Sequence, residues 1–345
     1  MTATVTSAAG RTVAEFVRTR AADLDTGHTD TRTDIAEIGG RGLLDAGLGG
    51  SDIREIAGVI EEVAAESLAA AFSLWAQRMA LEYVRRATGS VRERYLDELA
   101  SGRQIGVTAM AAALKHLAGL GELPLRADDV NGDRVSGPIA WASNVFPDSL
   151  IVFPFRGSDG SGRVGVVRAD ADGVGIRSAP ELLALGATAS TALAFDRVEV
   201  REDQLVTTDL PAFCATIRPV FLLLQTAFCA GAAGTAVRAA GDRLDGLGAQ
   251  FRGEHRALAG RYSAVRRRLR EYTADAHATP PAELIRLRLD AACTAVDASR
   301  LESTLRGGAG YALHCDTNRR FREAAFLPVQ SPSEGQLRWE LSQYD

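Results

Sequence analysis

Four cysteines in 345 residues, Cys214, Cys229, Cys293 and Cys315, are too few and too irregularly spaced for a disulfide framework or a metal cage. Cys214 and Cys229 stand among apolar neighbours, where a thiol packs as a small hydrophobe. Free thiols fit a reducing compartment, and Met1 to Gly10 lacks the basic start and apolar run of a secretion signal. The expectation is a cytoplasmic protein. A basic field is missing too: 39 Lys and Arg face 44 Asp and Glu, a formal charge of −5, with both signs mixed along the chain. Nucleic acid is thereby excluded as the main partner, because phosphate binding requires positive potential. The one dense basic run, Arg266-Arg267-Arg268 with Arg270, has the spacing of a solvated helix face. The longest apolar stretch, Val220 to Ala233, is interrupted by Gln225 and Thr226. It falls short of the roughly 20 residues a membrane span needs and reads as a buried helix, so no membrane span is expected. Repeats and low-complexity tracts are absent as well.

What is present divides into three segments by period. From Thr12 to about Gly102 apolar residues recur at helical spacing: Ile53, Ile56, Val59, Ile60 and Val63 share one face. Leu68 to Val84 is apolar nearly all round, as a helix at the centre of a bundle would be. Between about 105 and 205 the chain turns to Gly, Asp and β-branched residues. Arg134 to Ser136, Leu150 to Phe155, Val164 to Arg168 and Leu193 to Val200 are strand candidates. Asn131-Gly132 is a hairpin turn signal, and turns are also expected at Gly157 to Gly162 and Asp170 to Gly173. This predicts an all-β insert, a small barrel or sandwich. From Pro211 onward the helical period returns, with Phe221 to Gly234, Leu258 to Tyr272 and Glu283 to Leu305 as long helices. Pro280-Pro281 starts the last of these, Gly307-Gly308 breaks it, and a final helix resumes near Arg319. The expected boundaries are a helical domain at 1–104, a β-domain at 105–205 and a helical bundle at 206–345. Apolar runs at Val220 to Leu224 and Leu284 to Leu289 suggest more helix surface than one copy can cover, hence a dimer or tetramer packed through the bundle.

Three local motifs sharpen the reading. Gly137-Pro138-Ile139-Ala140-Trp141-Ala142-Ser143-Asn144 has a tryptophan and a hydroxyl two residues apart. Gly186-Ala187-Thr188-Ala189-Ser190 leads to Phe195-Asp196-Arg197-Val198-Glu199-Val200. Gly307-Gly308-Ala309-Gly310-Tyr311 precedes Arg320-Phe321-Arg322-Glu323-Ala324. Together with the order of helices, β-insert and bundle, the chain resembles the acyl-CoA dehydrogenase superfamily along nearly its whole length. That resemblance implies an α+β fold with an N-terminal helical domain, a middle all-β domain and a C-terminal four-helix bundle. It also implies a flavoprotein in which Trp141 packs beside the flavin ring and Ser143 hydrogen-bonds its redox edge. Thr108, in Gly106-Val107-Thr108-Ala109-Met110-Ala111, serves the flavin pyrimidine on the same reading. Gly307, Gly308 and Gly310 let backbone amides approach the FAD pyrophosphate.

The departures from the family pattern bear on the reaction. Its usual Thr-Glu-Pro opening of the β-domain is missing, and a helix-like run, Leu114 to Leu120, follows instead. Arg243 to His255 does not carry the segment that holds the far half of FAD, which makes FMN the alternative cofactor. Aligned on Arg322, the usual catalytic glutamate position falls on Ser331, and the second known position falls near Leu222. Glu334, followed by Gly335, is the nearest carboxylate and the candidate base for removing an α-proton; its structural alternative is to cap or begin the last helix. The resemblance implies 2,3-dehydrogenation of an acyl thioester with an electron-transfer partner. The missing motifs equally suit a two-component flavin monooxygenase supplied by a flavin reductase, or a non-catalytic subunit of a heteromeric dehydrogenase.

Overall fold

In the computed structural model of the chain, residues 8–87, 89–128 and 133–344 are described. The apolar spacing of the first hundred residues becomes five helices: α1 (Ala8–Thr26), α2 (Arg32–Gly40), α3 (Arg54–Glu66), α4 (Leu68–Arg86) and α5 (Ser90–Ala100). In α3 the face carrying Ile56, Val59, Ile60 and Val63 is buried, each side chain contributing roughly 1.5–3 kcal/mol. Every residue of α4 from Leu68 to Val84 is buried, and the Ser67 hydroxyl accepts the Ala70 amide to start it. Burial on all sides leaves two charged residues of α4 to find partners inside. Arg78 donates to the carbonyls of Leu44 and Ala46 at 2.6 and 2.9 Å and pairs with Glu82 at 2.6 Å.

The β-rich stretch forms one eight-stranded sheet with a helix inserted in its opening. Its strands are β1 (Gly106–Thr108), β2 (Arg126–Ala127), β3 (Asp133–Ala142), β4 (Leu150–Arg156), β5 (Gly162–Arg168), β6 (Val174–Ile176), β7 (Thr191–Val200) and β8 (Leu205–Thr207). They run in the order β6-β7-β3-β2-β4-β5-β8, with β1 alongside β4. All pairings are antiparallel except β1 with β4 and β2 with β4. The inserted helix is α6 (Ala111–Leu117), so the segment is not wholly β. The four strand candidates all lie within strands; the Asn131-Gly132 turn signal lies outside the described residues. Alternation along β4 divides two cores: Ile151, Phe153 and Phe155 pack within the sheet domain, whereas Leu150 and Val152 join the helical core. Gly137 is needed for close approach, since a Cβ there would lie 2.3 Å from the Pro124 carbonyl oxygen at φ +134°.

Behind the sheet stand α7 (Leu210–Gly241), α8 (Arg252–Ala274) and α9 (Pro281–Arg306), followed by α10 (Gly308–Tyr311), α11 (Asp316–Ala324) and α12 (Glu334–Leu341). The run Val220 to Ala233 is the middle of the 32-residue α7, which is long and apolar enough to cross a membrane but is buried here as the core of the bundle. Gly231 lets α7 reach α3, where a Cβ would sit 2.1 Å from the Glu61 carbonyl oxygen. Two sequence expectations need correction. Val220 to Leu224 and Leu284, Ile285 and Leu287 are covered within the single chain, so they are not a spare oligomer face. The basic run is only partly solvated: Arg266 pairs with Glu61 at 2.5 Å and Arg268 with Asp290 at 2.7 Å, tying α8 to α3 and α9.

Candidate functional site

The end of β3 presents the indole of Trp141, 57% exposed, while the next residue, Ala142, turns into the sheet core. A large aromatic left open at a strand end offers an apolar platform. Ser143 follows, and its hydroxyl lies 2.7 Å from that of Ser190; Ser190 in turn lies 2.7 Å from the Thr188 hydroxyl, which donates to the Leu185 carbonyl at 2.8 Å. Asn144 takes the left-handed conformation (φ 65°), and its Nδ2 donates to the carbonyls of Ser73 at 2.9 Å and Gly106 at 3.3 Å. Its amide also bonds the Thr188 carbonyl at 2.8 Å. One asparagine thus ties the end of β3 to α4, to β1 and to the Thr188 turn.

Thr108 closes β1 in that neighbourhood, two residues beyond Gly106. Its hydroxyl lies 3.0 Å from the phenol of Tyr83 on α4. Burial pushes the Tyr83 phenol well above its ordinary range, so it stays protonated. Tyr83 packs on Phe213, 5.9 Å between ring centroids, and burial pushes the neighbouring Cys214 thiol up to about 12. One turn further along α7, Arg218 pairs with Glu340 of α12, and Trp339 Nε1 donates to the Ala118 carbonyl at 3.1 Å. The bond from Asn144 to the Gly106 carbonyl therefore ties the end of β3 that carries Trp141 and Ser143 to the start of β1, two residues before Thr108.

The segment before α12 is held by neutral groups around a buried cation. Arg288 of α9, fully buried, donates through Nε to Gln225 Oε1 at 3.0 Å and through Nη2 to Gln330 Oε1 at 2.7 Å. Gln225 and Gln330 both donate to the Ser331 carbonyl, at 2.9 and 2.7 Å. Ser331, at the aligned position of the family glutamate, thus has its main chain fixed and supplies no carboxylate. Glu334 is the first residue of α12, with the cap made by Ser333, whose hydroxyl accepts the Gln336 amide at 3.3 Å. The Glu334 carboxylate accepts from Arg338 Nε at 2.8 Å, one turn along. At about 100° per residue, this pair lies on a different face of α12 from Trp339 and Glu340.

Gly307 ends α9 at φ 64° and Gly308 begins α10; both are exposed, whereas Gly310 is buried against Arg306. None of the three is hydrogen-bonded to Thr108, Trp141 or Ser143. The arginine-rich second half of α11 serves packing: Arg320 pairs with Glu302, Arg322 with Asp25 at 2.6 Å, and Glu323 is buried facing the first amides of α4. Two surface hollows, about 570 Å³ beside Arg92 and Leu96 and about 450 Å³ beside Leu183 and Arg322, do not include the Trp141 platform. The physical argument favours Trp141, because it combines open aromatic surface with placed hydroxyls. Tyr83, Asn144 and the Thr188–Ser190 hydroxyls were not singled out in the sequence. The two-residue spacing of Thr188 and Ser190, matching that of Trp141 and Ser143, was the available signal.

No family model and no curated protein matches the sequence. Solved structures match its fold over almost the whole chain. Butyryl-CoA dehydrogenase from Megasphaera elsdenii superposes with a TM-score of 0.85 at 14% identity, covering 100% of this chain and 99% of that one. FkbI, for biosynthesis of a methoxymalonyl extender unit, gives 0.80 at 21% identity over 97% and 98%. PigA, solved with FAD and proline, gives 0.83 at 14% over 100% and 99%. The chain has the acyl-CoA dehydrogenase fold.

Proposed function

We propose that this chain is a flavin-dependent oxidoreductase acting on an acyl thioester. The observation that carries the reading is the open indole of Trp141 at the end of β3 with the Ser143 hydroxyl two residues on, on a strand end that Asn144 ties to β1, the strand that Thr108 closes. An isoalloxazine needs an apolar platform plus a few polar groups at its edge, and these residues fit it. Gly307 and Gly308 are exposed, with open space where a Cβ would stand, which suits the approach of backbone amides to the FAD pyrophosphate; FMN is the alternative if the far half of FAD finds no hold. Bound there, the flavin supplies a two-electron acceptor.

Within this class the reaction turns on Glu334. Dehydrogenation at the 2,3-bond requires a carboxylate facing the substrate, and Glu334 is the candidate from the sequence. Its pairing with Arg338 favours a second reading, a two-component monooxygenase, which needs no such base and takes reduced flavin from a separate reductase. The test is spectroscopic. Anaerobic bleaching of the bound flavin by an acyl-CoA selects dehydrogenation, which then calls for an electron-transfer partner. Oxygen consumption with supplied reduced flavin, and no bleaching by any acyl-CoA, selects monooxygenation. The absence of both responses would sink the oxidoreductase reading.

A further inference from the structure

Three hydroxyls stand in a row that begins at Ser143, two residues beyond Trp141, and counting protons gives the row a direction. The Thr188 hydroxyl lies 2.8 Å from the Leu185 carbonyl oxygen, which can only accept, so the Thr188 proton is committed. A hydroxyl has one proton. Ser190 must therefore donate the 2.7 Å bond to Thr188, and Ser143 must donate the 2.7 Å bond to Ser190. Ser143 is left with lone pairs alone to offer.

The row is held rigidly. Leu185 and Ala189 adopt left-handed backbone at φ 63° and 46°, and Asn144 at 65°. For residues with a Cβ this conformation is costly and persists only where surrounding bonds enforce it. Here the Asn144 and Val145 amides bond the Thr188 and Ala189 carbonyls at 2.8 and 3.2 Å, locking the two segments together.

The geometry points to Thr188 and Ser190 as the residues that set the redox preference of the flavin site, by orienting Ser143 as a hydrogen-bond acceptor. This rests on the flavin reading above, with N5 beside Ser143. Oxidised N5 has only a lone pair and finds no donor in Ser143. Two-electron-reduced flavin carries an N5 hydrogen, which Ser143 accepts. The site therefore prefers reduced flavin, whether it is formed there or delivered by another protein.

Turning the row around to serve oxidised flavin forfeits the bond to Leu185, about one net hydrogen bond, so the preference is on the order of five-fold. The experiment measures dissociation constants of oxidised and reduced FAD, anaerobically, for the parent, Thr188→Val, Ser190→Ala and Trp141→Ala. Thr188→Val frees Ser190 to donate to Ser143, and Ser190→Ala frees the Ser143 proton directly. Each should lower the ratio of oxidised to reduced dissociation constants by about five-fold. Ser190→Ala keeps the Thr188–Leu185 bond and decides the matter should Thr188→Val fail to fold. FAD binding that depends on Trp141, with the ratio unmoved in the folded variants, overturns the inference alone. FAD binding that ignores Trp141, or no binding in either state, overturns the flavin reading and the inference with it.

Discussion

The phenol of Tyr83 and the hydroxyl of Thr108 lie 3.0 Å apart where the buried helix α4 meets the end of β1. Tyr83 is wholly inside, so its hydroxyl has exchanged water for this one partner. The bond therefore serves the fold and also fixes the Thr108 side chain at the candidate site. Tyr83→Phe should lower stability by about 0.5–1.5 kcal/mol, the net worth of such a bond. Urea denaturation followed by circular dichroism measures it; an unchanged midpoint would mean that Thr108 is positioned by the backbone alone.

Glu334 separates the two reactions. With its carboxylate held by Arg338, it is expected to be dispensable: Glu334→Gln should change flavin reduction or turnover by less than about ten-fold and stability by about 0.5 kcal/mol at most. General bases contribute roughly a hundred- to ten-thousand-fold. A loss in that range by stopped flow would install Glu334 as the base and restore the dehydrogenase reading.

Glu323 gives the fold a pH signature. Burial raises its carboxyl above the ordinary value of 4.5, Arg319 offsetting part of the effect. A carboxyl with a raised folded value contributes stability that is complete below the unfolded value and is lost as pH rises through the folded one. Glu323→Gln removes this dependence. As pH rises above the ordinary value of 4.5, the stability of the variant should gain on that of the parent, read by denaturant midpoints. A constant difference across the range would show that Glu323 is fully compensated.

The architecture was legible because period and turn chemistry are local: the short apolar run of β4, the partial alternation along β7, the helical spacing in α3 and the long apolar runs of α4 and α7 each matched the element formed. Trp141 and Ser143 were singled out by motif spacing, and the structure leaves the Trp141 indole open at the end of β3. What was not legible is what distant segments do to each other. Whether Val220 to Leu224 faced a partner or the protein's own interior depends on packing, and the answer was the latter, with Trp75 of α4 on Phe221. Nor does the sequence reveal that Arg266 would reach Glu61, that Asn144 would join three elements, or that Glu334 would turn toward Arg338.

An oligomer remains a proposal on different residues. Leu247, Tyr311 and Leu313 are 91%, 84% and 66% exposed on the bundle and its last connections. A dimer or tetramer is expected in light scattering at micromolar concentration, or a mixed complex with a related chain. A monomer over that range would contradict it.

The most direct test of the account is a titration of the flavin-free protein with FAD, followed by flavin absorbance and fluorescence, for the parent and Trp141→Ala. The parent should bind with a perturbed flavin spectrum. Loss of the indole platform should weaken binding by about ten- to a hundred-fold while the circular dichroism spectrum stays unchanged. Equal affinity in the two proteins, or no binding by the parent, would contradict the claim that Trp141 is the floor of a flavin site.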